Sequence, residues 1–247
     1  MSRPLLVDIR EPVVLTSPRQ TVVHTFRGCV NQMTAQTQQV PSPPRAVAIS
    51  GIVFAALYMI SLVLIRLAVP ADPTEPGLWL ADPSFRNSVR IALNLVPFTG
   101  IAFLWFMAVL RNRVGLLEDR FFATVFLGSG LLFVAMLFAA ASVARGLLDT
   151  FEAVRPDQNE TYRLGRGLAY TLMNSFGTRM AAVFMFVTST IGLRTAVLAR
   201  WVSFVGFAFG LVLLLVMTEF AWITLLFPLW VLLVSTYILS AEFRLDR

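Results

Sequence analysis

The sequence predicts an all-α fold: a polytopic transmembrane helical bundle of six spans with a disordered N-terminal arm. Two observations predict it. Of 247 residues, 57% are hydrophobic and only 14% are charged, with a mean hydropathy of +0.75, whereas a soluble domain carries about 25% charged residues. The apolar residues also gather in runs of the length a bilayer requires, about 20 residues per helical span. A transmembrane β-barrel would show alternation instead, and uninterrupted runs at 131–141 and 211–217 exclude it.

Residues 1–45 form the arm. It holds Pro4, Pro12, Pro18, Pro41, Pro43 and Pro44 and no long apolar run, and a segment with so little apolar surface to bury is expected to stay disordered. It lacks a basic region followed by an apolar core and a small-residue cleavage site, so it does not read as a secretory signal. Met33 begins Met33-Thr34-Ala35-Gln36, an ordinary protein start, which leaves open that residues 1–32 are not translated. The single histidine, His24, and the single cysteine, Cys29, both lie in that stretch.

The transmembrane domain is expected over 46–240, with spans at 46–69, 91–110, 121–144, 167–193, 201–217 and 220–239. In the first span Gly51 and Ala55 form a small-residue pair that admits a neighbouring helix. Arg66, near its end, reads as an interfacial anchor whose long side chain reaches the head-group layer. Residues 70–90 carry Pro70, Pro73, Pro76 and Pro83, which argue for a loop, and Trp79 within it suits the interface. The second span contains Pro97, with Asn94 and Thr99 nearby; proline is tolerated in a membrane helix where neighbouring groups re-satisfy the freed carbonyl. Gly128 and Gly130 mark a close-packing face on the third span. The segment 145–166 reads as a long loop of mixed charge. The fifth span carries Gly206 and Gly210 at GxxxG spacing, a helix-packing pattern. Thr218-Glu219 is the polar break before the sixth span, so the two form a hairpin; one long bent helix over 201–239 is the alternative. Residues 241–247 form a short tail.

All 20 basic residues are arginine. With the N-terminus inside, the arm, inner loops and tail hold twelve arginines against six in the outer loops, so the positive-inside rule puts both termini in the cytoplasm. Starting at Met33 lowers the inner count to eight. The net charge of +6 therefore reflects topology and does not suggest nucleic acid.

The spans offer no catalytic, cofactor-binding or metal-ligating set. One cysteine and one histidine, both in the arm, leave no His/Cys metal cluster and no Ser–His or Cys–His nucleophile. The carboxylates Asp149, Glu152, Asp157 and Glu160 read as one side of a solvated, mixed-charge loop. No cofactor is expected.

The stretch 167–193 stands apart because Arg179 lies half-way along it. A charge in hydrocarbon is costly and needs protein, water or a partner beside it. At about 100° per residue, Thr171, Ser175, Thr178, Arg179, Ala182 and Ser189 fall on one sector of that helix. Arg179, Asn94, Thr99, Ser175 and Glu219 are thus the candidate intramembrane polar site. A structural reading pairs Arg179 with Glu219 or with carbonyls freed by Pro97. A functional reading turns it towards an anion or lipid head group.

The leading expectation for function is a non-enzymatic integral membrane protein, a structural or accessory component that packs with itself or with a membrane complex, with the lipid bilayer as its constant partner. The alternative is a small transporter of an anionic or amphipathic solute, with Arg179 facing the path. Arginine-only charge, the Pro-rich start, the short Arg-bounded inner loops and the closing Phe227-Pro228-Leu229-Trp230-Val231-Leu232-Leu233 resemble small multi-pass membrane proteins of actinobacteria that have no assigned activity. The resemblance covers about 46–240. It implies a plasma-membrane location, says nothing about activity and carries over no binding residue.

Overall fold

The computed structural model describes residues 44–70, 78–114, 120–151, 160–215 and 222–245. Among them every regular element is helical. Helix α1 covers Pro44–Ala68, a 3₁₀ turn Leu78–Ala81, α2 Pro83–Val114 and α3 Arg120–Phe151. Helix α4 (Glu160–Tyr170), a π-helical segment (Thr171–Gly177) and α5 (Thr178–Thr195) follow without a break. Helix α6 covers Arg200–Leu215, a second 3₁₀ turn Ile223–Leu225 and α7 Leu226–Leu245.

Five stretches are long and apolar enough to cross a membrane: Ala48–Ala68, Pro83–Asn112, Arg120–Thr150, Glu160–Thr195 and Ile223–Ala241. The chain is an all-α membrane bundle. Helix α6 is shorter at 16 residues, about 24 Å at the α-helical rise.

Two stretches expected as loops are largely helical. Residues 83–90 extend α2 ahead of the expected span 91–110, and residues 145–151 and 160–166 carry α3 and α4 into the expected loop 145–166. The expected tail is likewise helical as far as Leu245. Hydropathy marks where the apolar layer ends, whereas a helix ends where its backbone bonds do. Pro83 is not a breaker here. It occupies the first helical position, where its missing N–H is not needed. Asp82 caps that end: the Ser84 N–H donates to its Oδ1 at 2.8 Å. Helices α2 and α3 each reach 32 residues, about 48 Å, against an apolar layer of about 30 Å. They therefore overrun it. The arm with His24, Cys29 and Met33, and the Thr218-Glu219 turn, lie outside the described residues.

The six long elements form an antiparallel ring. Gly51 and Phe54 of α1 lie against Phe106 and Phe103 of α2. Phe103 and Gly100 lie against Phe133 and Phe138 of α3, and Phe126 of α3 against Phe184 of α5. Phe186 of α5 meets Phe207 of α6. Trp201 and Gly206 of α6 meet Tyr237 and Trp230 of α7, so 201–239 is not one long helix. Phe227 and Ser235 of α7 return to Phe54 and Gly51 and close the ring. At its axis sit Phe54, Phe103, Phe133, Phe184 and Phe227, one from each of five helices. Each is at most 2% exposed, and their centroids stand 4.8 to 6.2 Å apart at the contacts. In lipid, apolar residues gain little from mere burial, so contact of this kind is what holds helices together.

The antiparallel order defines two ends. At the Arg66 end α1 finishes and α2 begins, and the overrunning parts of α2, α3 and α4 gather. At the Arg200 end α5 stops at Ala196, whose φ of 53° is a left-handed helix terminus, and the Arg194 guanidinium lies 4.5 Å over the Phe122 ring.

Candidate functional site: an arginine cavity at the Arg66 end

The overrunning helix ends build a second, smaller core at the Arg66 end. Ala68, Leu80, Val89, Leu93, Leu148 and Tyr162 form it, from α1, the first 3₁₀ turn, α2, α3 and α4. Arg86 fastens the turn to α2 by donating to the Leu80 carbonyl at 2.6 Å. That sets Leu80 inward at 2% exposure and lets the Trp79 indole N–H donate to the Tyr162 hydroxyl at 3.1 Å.

Against this core lies a cavity of about 130 Å³. Its walls are mostly apolar (Val69, Leu80, Val89, Leu147 and Leu148 among them), yet Arg66 and Arg166 both line it, with Trp79, Tyr162 and Tyr170. Arg166 is 9% exposed and donates to the Pro70 carbonyl at 3.0 Å. Arg66 is half-buried. Its Nη2 donates to Asn174 Oδ1 at 3.0 Å, and among the described residues it has no carboxylate partner within salt-bridge distance. A guanidinium carries five N–H donors in a planar fork, so most of the hydrogen-bonding capacity of Arg66 is not used by this contact.

Asn174 stands on the π-helical segment, and the segment explains its position. In a π turn the bond runs from i to i+5, as the Thr178 N–H shows by reaching the Met173 carbonyl. Side chains make up for the displaced ladder. Asn174 Nδ2 donates to the Tyr170 carbonyl at 3.2 Å and Thr178 Oγ1 to the Met173 carbonyl at 3.0 Å. With its amide anchored this way, Asn174 presents Oδ1 to Arg66. Single π turns recur at functional positions in helices.

The residues singled out from sequence are distributed differently. Arg179 is half-buried and donates through Nη1 to the Ser175 carbonyl, one turn back on its own helix, at 2.8 Å. It lies off the walls of the Arg66 cavity. Its acceptor belongs to the π segment, not to the turn that Pro97 opens. Thr99 is fully buried and turns back on the Leu95 carbonyl at 3.0 Å. Asn94 is exposed and accepts from Arg145 Nη1 at 3.3 Å, while Arg145 Nε pairs with Asp149 at 3.0 Å. Glu219 lies outside the described residues. Arg179 and Ser175 are the two that meet, through Ser175's backbone. The assumed 100° per residue is also interrupted at Thr171–Gly177, where the wider π turn resets the face. Of the packing glycines, Gly206 is pressed by Ser189 and by Trp230 Nε1 at 2.6 Å from a Cβ placed there. Gly130 faces Met107, Gly210 faces Phe186 at ordinary contact distance, and Gly128 meets nothing within 4 Å.

Arg66, read from sequence as an interfacial anchor, is thus a wall of the site. The signal that could have found it was Asn174, the lone amide of the stretch 167–193, combined with an arginine in the last turn of a span. Among the described residues no cluster of His, Cys, Asp or Glu suited to a metal comes together. Outside the spans, the Ser84 N–H holds the Asp82 carboxyl below its ordinary range, as an N-cap does. No family model matches this chain, and no curated protein or solved structure shows significant similarity to it.

Proposed function

We propose that the chain is a plasma-membrane protein of six spans, with both termini cytoplasmic, and that it acts as an accessory component by binding and not by chemistry. Its binding element is the Arg66 cavity, which takes an anionic group at the outer face. The observation that carries this reading is a half-buried guanidinium on an apolar-walled cavity, held by a neutral amide. Guanidinium groups recognise phosphate and carboxylate through paired N–H donors, and a cavity of low polarity strengthens that attraction. The arginine distribution supports the orientation.

The transport alternative has less support. Phenylalanine rings fill the bundle axis, and Arg179 is bonded to its own helix. The test is titration of glycerol phosphate onto the full chain and onto Arg66→Gln, both held in amphipol. Binding that falls at least tenfold in the variant is the expected result. Equal binding by both proteins removes the reading. Orientation is checked separately with Ser84→Cys in a Cys29→Ser background, which an impermeant maleimide should label from outside the cell.

A further inference from the structure

A second cavity of about 130 Å³ adjoins the first, and the two share Ala144 and Ala169 in their walls. It runs deeper into the bundle between α1, α2 and α3, bounded by Leu62, Val96, Leu137, Ala140 and Ala141 and reaching Met173. No charged side chain lines it. The alanines open the space: where the axis of the bundle places phenylalanines, this side of α3 presents methyl groups. Two side-chain hydroxyls border the slot: that of Tyr58, which donates to Met173 Sδ at 4.0 Å, and that of Ser61. Ser61 is 2% exposed, lines the cavity, and its Oγ has no hydrogen-bond partner. A helical serine in lipid ordinarily returns its hydroxyl to the i−4 carbonyl, as Ser129 and Ser142 do here. A buried hydroxyl left without an acceptor is costly; Thr188, Ser189, Ser203, Ser235 and the Trp230 indole share that state, and of them all Ser61 is the one that lines either cavity.

Resting on the Arg66 reading above, we propose that the ligand is an amphiphile with an oxyanion head and one apolar chain. The head sits on Arg66, and the chain lies in the alanine-walled slot. An ester oxygen between them accepts from Ser61 Oγ. The spacing suits this arrangement. Ser61 lies five residues before Arg66 on α1, about 7.5 Å along the axis. That rise between backbone positions is of the order of the separation of phosphate and acyl carbonyl in a glycerol phosphate monoester, and the turn of about 140° between the two positions sets them on adjoining cavities. An apolar end buried in the slot and a charged end at the helix terminus match the two cavities in order.

The test is calorimetric titration of the full chain in amphipol with inorganic phosphate, butyl phosphate, dodecyl phosphate and a lauroyl glycerol phosphate. Wild type is expected to bind tighter as the chain lengthens, by roughly threefold to fourfold for each methylene that enters the slot. In Ala141→Phe, which places a ring in the slot away from the arginines, the rise with chain length is expected to vanish while inorganic phosphate binds as before. Partition into amphipol is common to both proteins and cancels in that comparison. Ser61→Ala is expected to weaken the acyl glycerol phosphate by roughly threefold to tenfold and to leave dodecyl phosphate unchanged; this arm stands even where Ala141→Phe does not fold. Equal affinity for butyl and dodecyl phosphate in wild type, with Arg66→Gln still losing both, overturns the slot and leaves the anion site standing. Failure of every phosphate to bind wild type overturns the anion site itself.

Discussion

At the bundle axis five phenylalanines from five helices touch one another, whereas at the Arg66 end three of those helices, α1, α2 and α3, leave two adjoining cavities together with α4. The five rings at the axis have no charged group among them, whereas the cavities are bordered by Arg66, Arg166 and the Ser61 hydroxyl, with Asn174 of the π turn bonded to Arg66. The difference separates two tasks. Close ring contact holds helices that lipid does little to drive together. Looser packing over the overrunning helix ends leaves room for a ligand beside the arginines.

That division can be broken most forcefully at Phe103, which touches Phe54, Phe133, Phe184 and Phe227. Phe103→Ala is expected to cost about 3 kcal/mol or more in unfolding free energy, while the folded fraction keeps its affinity for glycerol phosphate. Thermal unfolding in mild detergent with parallel titration checks both. A loss below about 1 kcal/mol would mean that the axis is not the chief support of the ring.

A smaller effect tests packing away from the axis. Gly206→Val drives its side chain into Ser189 and the Trp230 indole and is expected to cost about 1–3 kcal/mol. Gly128→Ala, with open space around it, is expected to be neutral or to stabilise by up to about 1 kcal/mol. Equal melting temperatures for the two variants would contradict the difference in packing.

On the cavity side, Tyr162→Phe removes the acceptor of the Trp79 indole N–H and is expected to cost about 1 kcal/mol, well below the Phe103 loss, with a shift in Trp79 emission as the direct readout. The smallest effect lies at Asp82. Its carboxyl is held low by the Ser84 N–H, so the cap contributes fully above the ordinary aspartate value of about 3.9 and is lost as pH falls through the lower folded value. Melting temperature is expected to carry no Asp82 contribution to its slope between about pH 5 and 7. Asp82→Asn, an equally good cap, is expected to remove part of the acid-side decline, measured as a difference between the two melting curves below about pH 4.

Hydropathy alone determined that the chain is helical and suited to a membrane, because runs of about 20 apolar residues have one common solution in a bilayer. Periodicity also marked Gly206 and Gly130 as contact positions, since a missing side chain on a helix admits whatever lies opposite. The partners and the helix ends were a different matter. Residues 83–90 and 145–151 are polar enough to read as loop, yet their backbone bonds continue because Asp82 caps one helix and the small core around Leu148 and Tyr162 supports the other. Arg179 stood out because charge in an apolar run is conspicuous along one dimension. Arg66 did not, because an arginine at a span end is ordinary until Asn174, 108 positions away, is brought beside it. That meeting depends on α1 packing near the π segment and on the π turn rotating Asn174 to face it. Both are products of tertiary contact, and neither leaves a periodic trace in the sequence.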